Sequence, residues 1–326
     1  VNTLQEKSVL MRFSAGLPGQ HRKDKRTTKQ IKSEKSLGDN AGNWVTELWP
    51  KDAMAEIKTK LNEARDYHAS VTLPFGVKGE EEADKAGGEN KAANRKGASA
   101  IAGVGILPAV LICEYRDKMQ QFVGEIGVLV DKFLENPKRY VDWALAEHNG
   151  TFEPKNYPGC WLDASGAVQL NEAEFGRVMS GKFYLTFEPM PVPAASQFTA
   201  MITNLLGVDA ESVDLRVADA SVEAQRELMR RLIEPVRAMA EKLAEAPKEG
   251  KEDIVFRDTL VGNICDIVRI APALNLTGDA QIDEFVKCVE PLTRYTPTVL
   301  RDDKATREEA AKKAAELVAR MAAYKL

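Results

Sequence analysis

Three histidines, His21, His68 and His148, and four cysteines, Cys113, Cys160, Cys265 and Cys288, are the side chains of this 326-residue chain best suited to proton transfer, metal binding or nucleophilic attack. Their spacing assembles none of these. The histidines fall in three different kinds of segment, and neither an H-E-x-x-H metal pair, a G-x-S-x-G nucleophile turn nor a C-x-x-C pair occurs. Adjacent carboxylates such as Asp302-Asp303 and Glu308-Glu309 stand where helix starts favour negative charge, so capping accounts for them without acid–base work. The sequence therefore points to no catalytic residue, no metal site and no cofactor. A non-enzymatic role is favoured, while an enzyme whose residues converge only in the fold stays open.

The remaining chemistry is electrostatic. Between His21 and Lys35 the chain carries Arg22, Lys23, Lys25, Arg26, Lys29, Lys32 and Lys35 against only Asp24 and Glu34, a local charge of +5 in a protein of net charge −4. Cations in such a row can displace counterions from a phosphate backbone, and Phe13, Trp44 and Trp49 could offer faces on which bases stack. Arg22, Lys23, Lys25, Arg26, Lys29 and Lys32 are the candidate nucleic-acid contacts. A solvated surface with no ligand is the competing reading of the same residues.

The elements that must position this segment are legible in outline. Lys7–Ala15 mixes β-branched, aromatic and polar residues ahead of Gly16, Pro18 and Gly19, which predicts a strand and a turn. From Asp52, the apolar stripe Met54, Ile57, Leu61, Ala64 and His68 predicts an amphipathic helix with His68 as a core histidine, followed by a strand over Ala69–Phe75. Gly76–Gly97, with five acidic residues, five basic residues and five glycines, lacks an apolar period and is expected to be a mobile loop. A long helix through Met119, Phe122, Val123, Ile126, Leu129, Val130 and Phe133 precedes a second that Asn136 caps, with Pro137 at its first position, and that should finish at Asn149-Gly150. Tyr157–Ser165 is expected as an aromatic-rich loop, Asn171 with Glu174 as a capping box, and Lys182–Glu188 as a strand ended by Pro189, Pro191 and Pro193.

Beyond the prolines the pattern is helical. Helices are expected over Phe198–Leu206, over Leu228–Leu243 with a kink at Pro235, over Phe256–Val268 with a stop near Pro272, after a cap at Thr277, and after Asp302-Asp303. The fold class is thus mainly α with a small β-sheet (α+β) drawn from Lys7–Ala15, Ala69–Phe75 and Lys182–Glu188. Residues 1–193 are expected to form an α+β N-terminal region, with the loop over 76–97, and residues 194–326 a helical C-terminal bundle.

With 44% hydrophobic and 29% charged residues the composition is globular. The scattered cysteines read as buried thiols in a reducing cytoplasm. No signal peptide is apparent at the start of the chain. The uncharged run Ala98–Cys113 has 16 residues, broken by Gly103, Gly105 and Pro108, short of the roughly 20 that a membrane span needs. The PMPVP segment and the amphipathic last helix could dock a partner or a second copy, or pack on their own core.

The order of NTLQEKSVLMRFSAG, a basic segment, VTLPF, ILPAVLICEYRDKM and a late LRDD before a final helix resembles an uncharacterised family of phage and prophage proteins met beside a MoxR-type AAA+ ATPase and a von Willebrand factor A domain protein. The Gly76–Gly97 insert departs from that pattern by its length. The resemblance implies a non-enzymatic interaction or assembly protein, able to oligomerise and to act with an AAA+ ATPase. The alternative is a nucleic-acid-binding protein, of the single-strand binding or annealing type, that uses the basic segment 21–35.

Overall fold

The computed structural model of the chain describes residues 3–23, 25–38, 41–75, 103–147, 153–194, 210–244 and 258–322. Among them are eleven α-helices and a small antiparallel sheet, so the protein is mainly α with a helical C-terminal region. The expected helix over Phe198–Leu206, the loop over 76–97, His148 and the Asn149-Gly150 helix end lie outside the described residues.

The chain forms two compact units. The first comprises Val1–Arg12, His68–Tyr115 and Glu188–Leu326, so residues 194–326 share it with two earlier segments. Its core is built on one helix, α7 (Ala210–Ala244). Buried residues recur along α7 at Val213, Val217, Ala220, Ala224, Leu228, Leu232, Val236, Met239 and Leu243, three or four apart, so one face stays apolar for the helix's whole length. Pro235 lies inside it; only the N–H that would reach the Arg231 carbonyl is missing there. Against α7 pack α8 (Thr259–Leu274) and α11 (Lys304–Ala322), with α9 (Ala280–Val289) and the short α10 (Pro297–Asp302) completing the bundle. Ala310 and Ala314 are fully buried on α11, where small side chains allow close helix approach. The last helix and the PMPVP segment thus spend their apolar residues at home: Met321 and Val192 belong to the same core cluster.

Two helix ends differ from expectation. α8 runs through Pro272 to Leu274, because a proline in the last turn forfeits one backbone bond at most, and Asn275 N–H still reaches the Ala271 carbonyl at 2.9 Å. α9 is capped by Asp279, which accepts from Gln281 N–H at 2.8 Å, and not by Thr277, whose hydroxyl takes the Gln225 side-chain amide at 2.5 Å. Capping explains Asp303 as expected: at the start of α11 its carboxylate accepts from the Thr306 hydroxyl at 2.5 Å and from Ala305 N–H at 2.9 Å, and these bonds, the Thr306 one foremost, hold it below the usual carboxylate range.

The sheet has the order β4-β5-β1-β8. β1 (Ser8–Gly16) follows a short α1 (Thr3–Lys7), β4 is only Leu73–Pro74, and β8 runs Tyr184–Met190, past Pro189. The expected strand at Ala69 is helix instead: α3 (Ala55–Val71) continues because Thr72 N–H and its hydroxyl both bond to the His68 carbonyl, at 3.1 and 2.7 Å. β5 (Val104–Pro108), buried at every position, pairs antiparallel with both β1 and β4. A strand covered on both faces shows no alternation, which is why its apolar run carries no strand signal.

The second unit comprises Phe13–Tyr67 and Arg116–Phe187. It holds most of α3 and of α4 (Ile112–Leu134), with α5 (Lys138–Glu147) and α6 (Glu172–Ser180). Met119, Phe122, Ile126, Val130 and Phe133 are buried on α4, whereas Val123 faces solvent. Phe133 stacks on Tyr140 with centroids 4.5 Å apart, and Trp49 and Phe183 meet Phe133 edge-on at 5.9 and 5.4 Å. Such pairs add about 0.5–1.5 kcal/mol each beyond burial. Asn136 Oδ1 accepts from Arg139 N–H at 3.3 Å and Asn171 Oδ1 from Glu174 N–H at 3.1 Å, the two caps read from sequence. The expected loop at Tyr157–Ser165 holds the first strand of a hairpin, β6 (Cys160–Leu162), which pairs with β7 (Val168–Leu170) beyond it. Asp163 closes its turn, accepting from Ser165 and Gln169 side chains and two backbone N–H groups, which pull its carboxyl down to about 2.

His68 is a core histidine, 7% exposed, with Nδ1 2.8 Å from the Tyr115 hydroxyl. Burial lowers its pKa from 6.5 to about 4. The unfolded chain takes up this proton near pH 6.5 while the fold resists it, so stability complete above that pH is lost as pH falls toward 4, by up to about 3 kcal/mol. Urea unfolding across this range should show the loss, and His68→Gln should flatten the slope relative to wild type.

Candidate nucleic-acid interface

The cationic segment folds as a small module of the second unit. β2 (His21–Lys23) pairs antiparallel with β3 (Val45–Glu47), placing Arg22 opposite Thr46 and Lys23 opposite Val45. Between them runs α2 (Lys25–Glu34). Trp44 N–H donates to Thr28 Oγ1 at 2.8 Å, so the returning chain is fastened to α2. Ile31, Leu37 and Trp44 line a small cleft of about 190 Å³ between them.

The helix end is held without a glycine. Ser36 adopts φ +50°, its N–H bonds to the Ser33 carbonyl at 3.3 Å, and Leu37 N–H reaches the Lys32 carbonyl at 2.9 Å. These two bonds satisfy the last helical carbonyls in the way that a left-handed residue at this position allows.

Charge is left open on this module. His21, Arg22, Lys23, Lys29 and Lys35 are exposed and Lys32 is half-buried, while the side chains of Lys25 and Arg26 lie outside the described residues. Arg22, Lys23 and Lys29 take no ion pair among the described residues. Glu34, the one acidic residue of α2, accepts instead from Gln30 Nε2 at 2.8 Å.

Of the three aromatic residues expected as stacking faces, one is available. Trp44 is 53% exposed. Phe13 points inward from β1, and Trp49 is buried against Phe133 and Tyr140, so neither presents a face to a base. Tyr184 at the start of β8, 48% exposed, is an aromatic that the sequence did not single out. Its strand was expected, but which side of that strand faces solvent depends on its neighbours.

The four cysteines are free thiols, and none is fully buried: Cys113 is exposed, while Cys160, Cys265 and Cys288 are half-buried. Apolar sequence surroundings misplace them because three lie at the edges of helix faces. Burial still pushes the Cys160 thiol up to about 11. Among the described residues no group of three or more His, Cys, Asp or Glu side chains could hold a metal ion, and no helix is long and apolar enough to cross a membrane. No family model, curated protein or solved structure matches the chain.

Ser36 at positive φ costs its helix what glycine would not. Ser36→Gly should strengthen the end of α2 by about 0.5–1 kcal/mol, read as slower amide exchange at Leu37.

Proposed function

We propose that this chain is a non-enzymatic binding protein and that the β2–α2–β3 module grips a polyanion, for which single-stranded nucleic acid is the best chemical match. The observation that carries this reading is the exposure of Arg22, Lys23 and Lys29 without carboxylate partners among the described residues, beside the half-exposed indole of Trp44. Cations held this way can neutralise phosphates, and an indole gives a stacking face to any base. With Lys25, Arg26 and Lys32 they make up the six contacts. A single strand suits the module better than a duplex because Trp44 sits in a shallow cleft, where an unstacked base can reach it.

A second reading keeps the assembly role that the phage-type resemblance implies, with self-association and an AAA+ ATPase partner. What supports it is the β6–β7 hairpin, on which adjacent Trp161 and Leu162 are each 50% exposed. Paired large apolar side chains on a hairpin match the anchors of protein interfaces. The two readings are compatible, since they use different parts of the second unit.

Retention of a labelled single strand by the full chain should fall on the order of a few hundredfold between 50 and 200 mM salt if about six phosphates are contacted. Neutralising Arg22, Lys23 and Lys29 together should reduce the slope of log affinity against log salt by about 2, alike for all base sequences. No binding at low salt would sink this reading. For the assembly role, sedimentation should show wild-type dimers or larger species and a Trp161→Ser variant shifted toward monomer; a strictly monomeric wild type would remove its support.

A further inference from the structure

Next to the cationic module lies a second concavity of about 340 Å³, walled by the turn after β1, the chain after β3, the 3-10 turn Pro154–Asn156, the end of α6 and the start of β8. We infer that this pocket receives one unstacked nucleobase of a single strand, with Arg22 and Lys182 as partners for the adjoining phosphate. The inference rests on the polyanion reading and names what that ligand must carry besides charge.

Three features of the wall support a planar, acceptor-bearing, anionic ligand. Its only charged side chains are Arg22 and Lys182, and neither takes an ion pair among the described residues. Its floor is apolar, with Leu48 and Met179 fully buried, and Tyr184 stands at one side as an aromatic face. The Tyr184 ring is fixed from behind: a Cβ on Gly16 would lie 2.2 Å from its Cε1, so the ring packs flat where only glycine leaves room. A ring immobilised on one side and half exposed on the other is a stacking platform that loses little freedom on binding. For base edges, Asn156 brings a donor and an acceptor on one amide. Trp49 closes the wall from within the aromatic core.

Size points the same way. The volume is near the lower end of ligand-sized pockets, about 300–1,000 Å³, enough for one ring system with its sugar at the mouth. The larger cavity of the same unit, about 400 Å³ beneath α5, suits an anion less well: Lys132 faces Glu56 at 3.9 Å, and Arg139 is engaged with the Tyr140 hydroxyl and ring.

The test uses the full chain at low salt and measures anisotropy with two labelled probes, an oligothymidylate and an abasic strand of the same length and charge. The pocket predicts roughly tenfold tighter binding of the oligothymidylate. Tyr184→Ala should erase that advantage while leaving the abasic strand's affinity and salt slope unchanged, and Tyr184→Phe should keep it. Asn156→Ala, on an irregular surface segment, is the second variant and should weaken the oligothymidylate alone several-fold. Equal affinity of wild type for both probes would overturn the pocket while leaving the polyanion reading intact. Absence of binding by either probe would overturn both. Displacement of the oligothymidylate by an acidic aromatic peptide, without displacement of the abasic strand, would reassign the pocket to a protein partner.

Discussion

Charge compensation within one helical turn is the constraint on which the functional account rests. Along the described helices, cations sit beside carboxylates three or four residues away: Lys60 with Glu63, Lys138 with Asp142, Arg177 with Glu174, Lys313 with Glu309. On α7, burial pushes Glu227 up, but the guanidinium groups of Arg230 and Arg231 outweigh it and hold the carboxyl below its usual range. Such exposed pairs are screened by water and contribute little as stabilisers. Its larger effect is on the field around the protein. A surface whose cations are neutralised locally offers little to a distant phosphate, whereas Arg22, Lys23 and Lys29 have no carboxylate three or four residues away and take no ion pair among the described residues.

Arg22, Lys23 and Lys29 can go without ion-pair partners among the described residues because the rest of their unit is held by other means. The aromatic cluster of Trp49, Phe133, Tyr140 and Phe183 anchors the chain directly after β3. Trp49 thereby fixes one end of the β2–β3 ribbon, while Lys29 on α2 is exposed. The returning chain is also fastened to α2 by the Trp44–Thr28 bond. Trp49 forms part of the wall of the pocket beside Arg22.

Helix periodicity and caps were legible in the sequence because they depend on neighbours three or four residues away. Asn136, Asn171 and Asp303 cap as their spacing indicates, and His68 lies in the core as its place on an apolar stripe requires. The first half of α7 was not legible: Val213, Val217, Ala220 and Ala224 carry too little apolar surface to announce the face that Leu228 to Leu243 make plain. β5 escaped because burial on both faces erases alternation, and the β6–β7 hairpin because three-residue strands are stabilised by the Asp163 turn more than by any pattern of their own. For the candidate site, the cations were visible as a charge run. Tyr184, Lys182 and Asn156 were not, since they reach the pocket from segments over a hundred residues away along the chain.

The most direct measurement of the central claim, that the uncompensated cationic module is where a polyanion is held, is photocrosslinking of a single strand carrying a photoreactive thymidine analogue to the full chain, with the adducts located by peptide mass mapping. The account predicts adducts in the segments around Arg22, Trp44 and Tyr184, suppressed by salt. Adducts confined to α7–α11, where the charges are already paired, or adducts insensitive to salt, would contradict it.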